Sequence, residues 1–337
     1  MWRRALGFAR AVAFAAVYLL SATSGAALAN DRKGDGRQSL DDAWWTGPLL
    51  AAGAAALPKG HVLFEPYFFD VDTYARFDSS GNRRDIGDRH YLGSQSYLLY
   101  GLVDDFTVGL IPRFGFNHVH PGRDSAGVRV GDLTLQAQYQ LTRFQPGSWV
   151  PTTSIVLQET LPLGKYDRLG DRPSNGIGGG AYATTVELHS QTYVWMPNGR
   201  ILRSRLNLSY TKSNSANLED VSVYGTPDGF RGDAEPGDSY NVTAAWEYSV
   251  TQQWVFALDV FYQHDDNTRV RGNVTDDLGA RTPFLADSGS GHQIGTAPAV
   301  EYNWSPRAGV IAGFRWIFAG ANASASFTPV VAINLVY

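Results

Sequence analysis

Apolar and polar residues alternate with a period of two along most of this chain, and the alternation runs to its last residue. In Phe327-Thr-Pro-Val-Val-Ala-Ile-Asn-Leu-Val-Tyr337, the residues Phe327, Pro329, Val331, Ile333, Leu335 and Tyr337 share one parity, while Asn334 falls on the other. That is a strand with one apolar face. An edge strand of a soluble sandwich reads the same way in isolation. A closed outer-membrane barrel fits better, because its last strand pairs with its first and its terminal aromatic joins the interfacial girdle.

The same period recurs upstream. Val62, Phe64 and Phe68 oppose Glu65, and Phe106, Val108, Leu110, Phe114 and Phe116 oppose Arg113 and Asn117. Leu133, Leu135, Ala137, Tyr139 and Leu141 oppose Asp132, Thr134, Gln136, Gln138 and Gln140, and a row of Gln on a membrane-length strand belongs to a wet interior. Val186, Leu188 and Val194 oppose Glu187, His189 and Gln191, and Leu202, Leu206, Leu208 and Tyr210 oppose Arg203, Arg205, Asn207 and Ser209. Tyr240 to Val250 sets apolar residues against Asn241, Thr243 and Glu247, and Trp254 to Tyr262 sets them against Asp259 and Gln263. Val300, Tyr302 and Trp304 oppose Glu301 and Asn303, and Val310, Ala312, Phe314 and Trp316 oppose Arg315.

The pattern predicts about twelve strands, an even number as these barrels require. The connections alternate too. Val103–Asp105, Gln145–Ser148, Pro197–Gly199, Thr251–Gln253 and Ser305–Arg307 are short. Asp70–Ser94, His118–Arg129, Gly164–Gly179, Thr211–Asp238 and Asp265–Gly291 are long and rich in Gly, Asp, Asn and Arg. The fold class expected is all-β: an antiparallel up-and-down transmembrane β-barrel with short periplasmic turns and long extracellular loops.

The N-terminal end is of another kind. Met1-Trp-Arg-Arg, the apolar run Ala11 to Leu20 and the small-x-small site Ala27-Leu28-Ala29 predict a secretory signal peptide, residues 1–29, cleaved after Ala29. Residues 30–58 are expected as a periplasmic N-terminal segment before a barrel at 59–337. Its Ala-rich part, Leu49 to Leu57, suits a short helix or an irregular stretch, at the periplasmic mouth or in the lumen; the mouth is the placement expected. Composition agrees with the barrel: aromatics are 13%, charged residues only 18%, and Gly 36, with a mean hydropathy of −0.21 that suits no helical membrane bundle. Cys 0 removes disulfide and thiolate chemistry, and a net charge of −4 gives no reason to expect nucleic acid as a partner.

Candidate chemistry is sparse. His189 and Ser190 are strand neighbours and point to opposite faces, so they cannot form a catalytic dyad. The His residues number 7 and lack metal-ligand spacing, and the pairs Asp265-Asp266 and Asp276-Asp277 read as solvated loops rather than Ca²⁺ sites. No enzyme, metal or cofactor is expected. The lumen-lining candidates are Glu65, Arg113, Asp132, Gln136, Gln138, Gln140, Glu187, Arg203, Arg205, Glu247, Asp259, Glu301 and Arg315. Tyr67 and Phe261, read as inward, are candidates for contact with an aromatic solute. The charged set serves either as a constriction selecting solutes or as ion pairs bracing a filled lumen.

Several stretches carry a family resemblance: Trp44-Trp-Thr-Gly-Pro-Leu-Leu, Gly60-His-Val-Leu-Phe-Glu-Pro-Tyr, Tyr100-Gly-Leu-Val-Asp-Asp-Phe-Thr-Val-Gly-Leu, Val130-Gly-Asp-Leu-Thr-Leu-Gln-Ala-Gln-Tyr and Thr296-Ala-Pro-Ala-Val-Glu-Tyr-Asn-Trp-Ser-Pro-Arg-Ala-Gly. They resemble the outer-membrane transporters of the "MetA-pathway of phenol degradation" family, over nearly the whole chain beyond the signal. Leu161-Pro-Leu-Gly-Lys-Tyr departs from that family's more usual Pro-Thr-Gly. The resemblance implies an association with breakdown of aromatics and supplies no functional residues. The last strand, ending at Tyr337, also resembles the pattern read by the barrel-assembly machinery of Gram-negative bacteria. The function expected is passive movement of small molecules, aromatic ones among them, through a barrel set in outer-membrane lipid. A structural or surface-interaction barrel with ligand-binding loops is the alternative, and a barrel hydrolase the third.

Overall fold

The computed structural model describes residues 37–337; the expected signal peptide and its cleavage site lie outside them. Eighteen strands follow in order. They begin with β1 (Val62–Phe77), β2 (Arg83–Val103), β3 (Phe106–Ile111), β4 (Arg113–Val119), β5 (Arg129–Val130) and β6 (Leu133–Thr142). Next come β7 (Thr152–Leu161), β8 (Ala183–Trp195), β9 (Ile201–Ser213), β10 (Ala216–Glu219), β11 (Phe230–Glu235) and β12 (Ser239–Ser249). The last are β13 (Trp254–Asp265), β14 (Arg269–Thr275), β15 (Arg281–Asp287), β16 (Gly291–Ser305), β17 (Ala308–Ala321) and β18 (Ala323–Val336). The helical elements among these residues are two 3₁₀ turns, Leu40–Asp42 and Pro173–Asn175.

A 14-stranded antiparallel sheet closes on itself where β1 pairs with both β18 and β2. Two crossings are broken: Pro112 has no N–H to give and separates β3 from β4, and residues 131–132 separate β5 from β6. The wall therefore has 12 crossings. Closure is made from Leu63↔Val336 to Phe77↔Ala323, and the terminal residue joins it, with Tyr337 N–H donating to Val62 O at 2.9 Å and Val62 N–H to Tyr337 O at 3.0 Å. Outward residues such as Phe68, Leu92, Tyr139, Leu157, Phe256 and Val331 are exposed, as a lipid-facing band must be. The alternate residues face an interior in which Glu247, Asp259 and Glu301 are fully buried.

Three expected loops are corrected. Asp70–Ser94 is mostly strand, paired continuously apart from one irregularity between Thr73 and Ala75 and turning only at residues 78–82. Its outward Asp70, Asp72 and Arg76 hid the strand, because above the bilayer an outward face need not be apolar. Asp78 holds that turn: its carboxylate accepts the N–H groups of Ser80 and Asn82 at 2.9 and 3.0 Å. The Asn82 backbone bond is the main reason its pKa lies below the usual value.

The stretches Thr211–Asp238 and Asp265–Gly291 also contain structure. Within them β10, β11, β14 and β15 form a separate 4-stranded sheet at the long-loop end. Leu218, Phe230, Ala234 and Val270 are its buried core, and the Phe230 and Phe284 rings meet edge to face at 5.3 Å. Tyr224 ties this layer to loop 162–182 by donating to Gly179 O at 2.5 Å, and burial pushes its hydroxyl up to about 12. The β17–β18 connection at the same end is a single residue, Asn322, at φ 49°. Asn adopts this left-handed conformation more readily than most residues.

This arrangement predicts that both sheet-forming stretches lie outside the cell. An epitope inserted at Gly225 or Gly279 of intact cells should bind antibody, and one at Pro197–Gly199 should not. The reverse pattern would invert the assigned orientation.

Candidate functional site

The residues before β1 decide the character of the lumen. The chain enters at the short-turn end, where Gln38 N–H donates to Gly199 O and Gln38 O accepts from Trp195 Nε1 at 2.8 Å. It climbs inside the barrel and returns to the same end, where Gly60 N–H donates to Gly101 O at 2.8 Å, before starting β1. Between these points residues 44–57 form an irregular strap. The mouth placement expected from the sequence is corrected: the strap lies among side chains well inside the strands. Small side chains make this passage possible, with Ala51 and Ala54 fully buried. Gly47 has φ +124° and faces the Arg205 guanidinium, so a side chain there would be strained.

An irregular strap buried in a barrel cannot use the wall's ladder, so its backbone must find side chains. Glu301 Oε2 accepts from Thr46 N at 2.7 Å and Gly47 N at 3.2 Å. Asp259 accepts from Leu49 N at 3.1 Å and Ala51 N at 3.0 Å, one with each oxygen. Gln140 Oε1 takes Ala56 N at 3.0 Å, and Thr107 Oγ1 takes Leu57 N at 2.8 Å. In the other direction Arg205 Nη1 donates to Ala51 O at 2.8 Å, Asn207 Nδ2 to Ala52 O at 3.1 Å and Gln138 Nε2 to Gly53 O at 3.2 Å.

The charges form one buried group behind the strap. Glu247 lies directly across from Arg203 in the β9–β12 register. It accepts from both Nε (2.7 Å) and Nη2 of Arg203, and Arg205 Nε lies 3.0 Å from its Oε2. Arg203 also stacks at 4.4 Å on Trp45 of the strap. The lower lumen is therefore filled, with Glu247 matched by two arginines and Asp259 and Glu301 by strap amides.

The other candidates stand elsewhere on the inner face. Gln136 accepts from Gln158 at 2.9 Å, Arg113 Nε donates to Gln95 at 3.0 Å, and Glu65 accepts from Asn334 at 3.3 Å. Asp132 is committed to the wall rather than to the pore, since its oxygens take the N–H groups of Gly164 and Gly179 at 2.9 and 2.7 Å. Tyr67 packs edge-on against Tyr97 at 5.8 Å, and Phe261 lies under Arg315 at 4.4 Å. Glu187 bonds His189 Nε2 at 2.7 Å, and the same ring's Nδ1 is 3.3 Å from Gly53 O. His189 is thus a strap contact. It was passed over with Thr107 and Asn207, whose parity alone marked them as inward. A recess of about 710 Å³ lies elsewhere in the wall, over Gly93 and Gly115 between Phe68, Leu92 and Phe114. It is largely apolar and partly lined by lipid-facing side chains, not by the polar set.

Comparison with known proteins gives a family and a fold. The family model described as the "MetA-pathway of phenol degradation" matches residues 70–328. Among solved structures, an outer membrane channel from Pseudomonas putida F1 is similar with a TM-score of 0.63 and 14% identity, covering 84% of this chain and 98% of that one. The toluene transporters TbuX of Ralstonia pickettii and TodX of Pseudomonas putida align with TM-scores of 0.39 and 0.36, each at 12% identity. They cover 89% and 91% of this chain and 96% and 99% of their own. No curated protein matches the chain.

Removing Glu247 leaves two arginines in a dry interior. Glu247→Ala should therefore lower stability by about 3–5 kcal/mol, as loss of one partner from a buried pair does. Denaturant unfolding of the refolded barrel measures this, and a loss under about 1 kcal/mol would mean the group is solvated.

Proposed function

We propose that this chain, which belongs to the "MetA-pathway of phenol degradation" family, is a passive outer-membrane channel for small, predominantly apolar or aromatic molecules, gated by its own N-terminal segment. The observation that carries the reading is the strap, residues 44–57, hydrogen-bonded inside the short-turn half of the lumen. A wide hydrophilic pore needs that space empty. A lower lumen filled by the strap, with the Phe261 ring against the strap's Leu50, suits a channel that admits a small solute and lets it pass when the strap yields.

In this reading residues 1–29 are removed on export, residues 30–58 enter the lumen from the periplasmic side, and the strand ending at Tyr337 is the one offered to the assembly machinery. Its hydrogen-bonded backbone makes the strap a separable part. Asp259, Glu301 and Gln140 keep their lumen positions on strands without it and would turn to water. The barrel is therefore expected to fold without residues 30–57.

The test is flux through purified protein in liposomes. Full-length protein should pass phenol-sized solutes with little ion conductance, and the truncated protein should conduct ions openly. If both are silent toward such solutes and toward small ions, the channel reading is wrong. The 4-stranded sheet built from two long loops favours a surface-interaction barrel as the second reading, and that silent outcome would put it first.

A further inference from the structure

The interior arginines are not equivalent. Arg203 and Arg205 are bound to Glu247, and Arg113 donates to Gln95. Arg315 has neither kind of partner: among the described residues no carboxylate lies within ion-pair distance of it, and its buried Nε has no hydrogen-bond acceptor. Its contact is the face of Phe261, 4.4 Å from the guanidinium carbon. Parity sets it on the inner face, since Trp316 and Phe318, which flank Ile317, are exposed outward. Across the strand pair its neighbours are the buried hydroxyl residues Thr328 and Ser326, and the rest of its surroundings are apolar. Phe261, Ile317, Phe77, Ala75 and Ala325 form one buried cluster, and Leu50, at the tip of the strap, packs against it.

A guanidinium keeps its charge at any working pH and presents five donors in a planar fork that matches a carboxylate. Placed in a partly dry wall without an anion, it leaves donors unpaired at a cost. We propose that Arg315 and the apolar surface around Phe261 and Leu50 form a binding site for a small aromatic monocarboxylate, just above the strap. The carboxylate takes the guanidinium's free donors, and the ring lies on the apolar cluster. A single charge fits; a multiply charged phosphate would leave most of its charge against hydrocarbon. The site rests on the reading of the lumen as the solute path, and it assigns that path a class of cargo. The plain alternative is that Arg315 only braces Phe261.

The experiment is calorimetric titration of the full-length barrel in detergent with benzoate and with benzamide, its neutral analogue of the same shape. The wild type should bind benzoate at least about tenfold more tightly than benzamide, the least expected of a charge-assisted pair. Arg315→Met keeps an apolar stem over Phe261, and it should cost benzoate about that factor while leaving benzamide unchanged. Arg315→Lys should fall between the two. No benzoate binding by the wild type, equal affinity for the two ligands, or a Met variant that binds benzoate as the wild type does would each overturn the site; the first two need no variant to fold. Benzoate binding by a barrel that, full-length and truncated, is silent toward phenol-sized solutes and small ions leaves the site standing and removes the channel reading. Flux of aromatic solutes with equal affinity for both ligands does the reverse.

Discussion

Every backbone N–H and C=O within a bilayer must find a partner inside the protein, because hydrocarbon offers none. That constraint explains both the wall and what fills it. In the wall the ladder does the work, and closure from Leu63↔Val336 to Phe77↔Ala323 removes the two edges that an open sheet would leave bare. In the lumen the strap has no ladder, and its N–H groups are met instead by Glu301, Asp259, Gln140 and Thr107. Carboxylates are apt acceptors here, since each has two oxygens and can hold two amides at once, as Asp259 does with Leu49 and Ala51.

The same constraint gives the buried charges their arrangement. Each strap carboxylate is anchored by amide dipoles, and Glu247, which holds no strap amide, is matched by two arginines. A buried group of this sort adds little net stability compared with an apolar core, but removal of one member is costly. It therefore specifies where the strap sits more than how tightly the barrel holds. The proposed gating fits this, since a strap tied largely by hydrogen bonds can exchange them for water, with Leu49 and Leu50 as its main apolar anchors.

Much of the wall was legible because a strand in a membrane must alternate. The parity of Leu133 to Leu141 against Asp132 to Gln140 gave both a crossing and its inner face, and the hairpin relation of β9 and β12 brought Arg203, Arg205 and Glu247 to one side. Legibility failed where the alternation loses its physical cause. Above the bilayer Asp70, Asp72 and Arg76 face outward without penalty, so the continuation of β1 and β2 resembled a loop. The sheet of β10, β11, β14 and β15 buries residues as small as Ala216 and Ala234, which carry little hydropathy signal.

The strap was the hardest part to read, and the reason is that it has no periodicity to find. Its one clue was the run of small residues from Ala51 to Ala56, required for passage through a lumen already lined by long polar side chains. Inward parity could show that Gln138, Gln140, Asp259 and Glu301 faced the lumen, but not whether they met water, solute or chain. The contacts decide that these four meet chain, so in the proposed channel solute would meet other inner-face residues. Tyr67 packs against the cluster that holds the strap's Leu49, while Phe261 stands on the inner face with Arg315, whose charge no carboxylate in the described wall answers. An interior acidic by simple count thus presents an unpaired cation above its filled half, so the sign of a lumen has to be read from which charges are already spent.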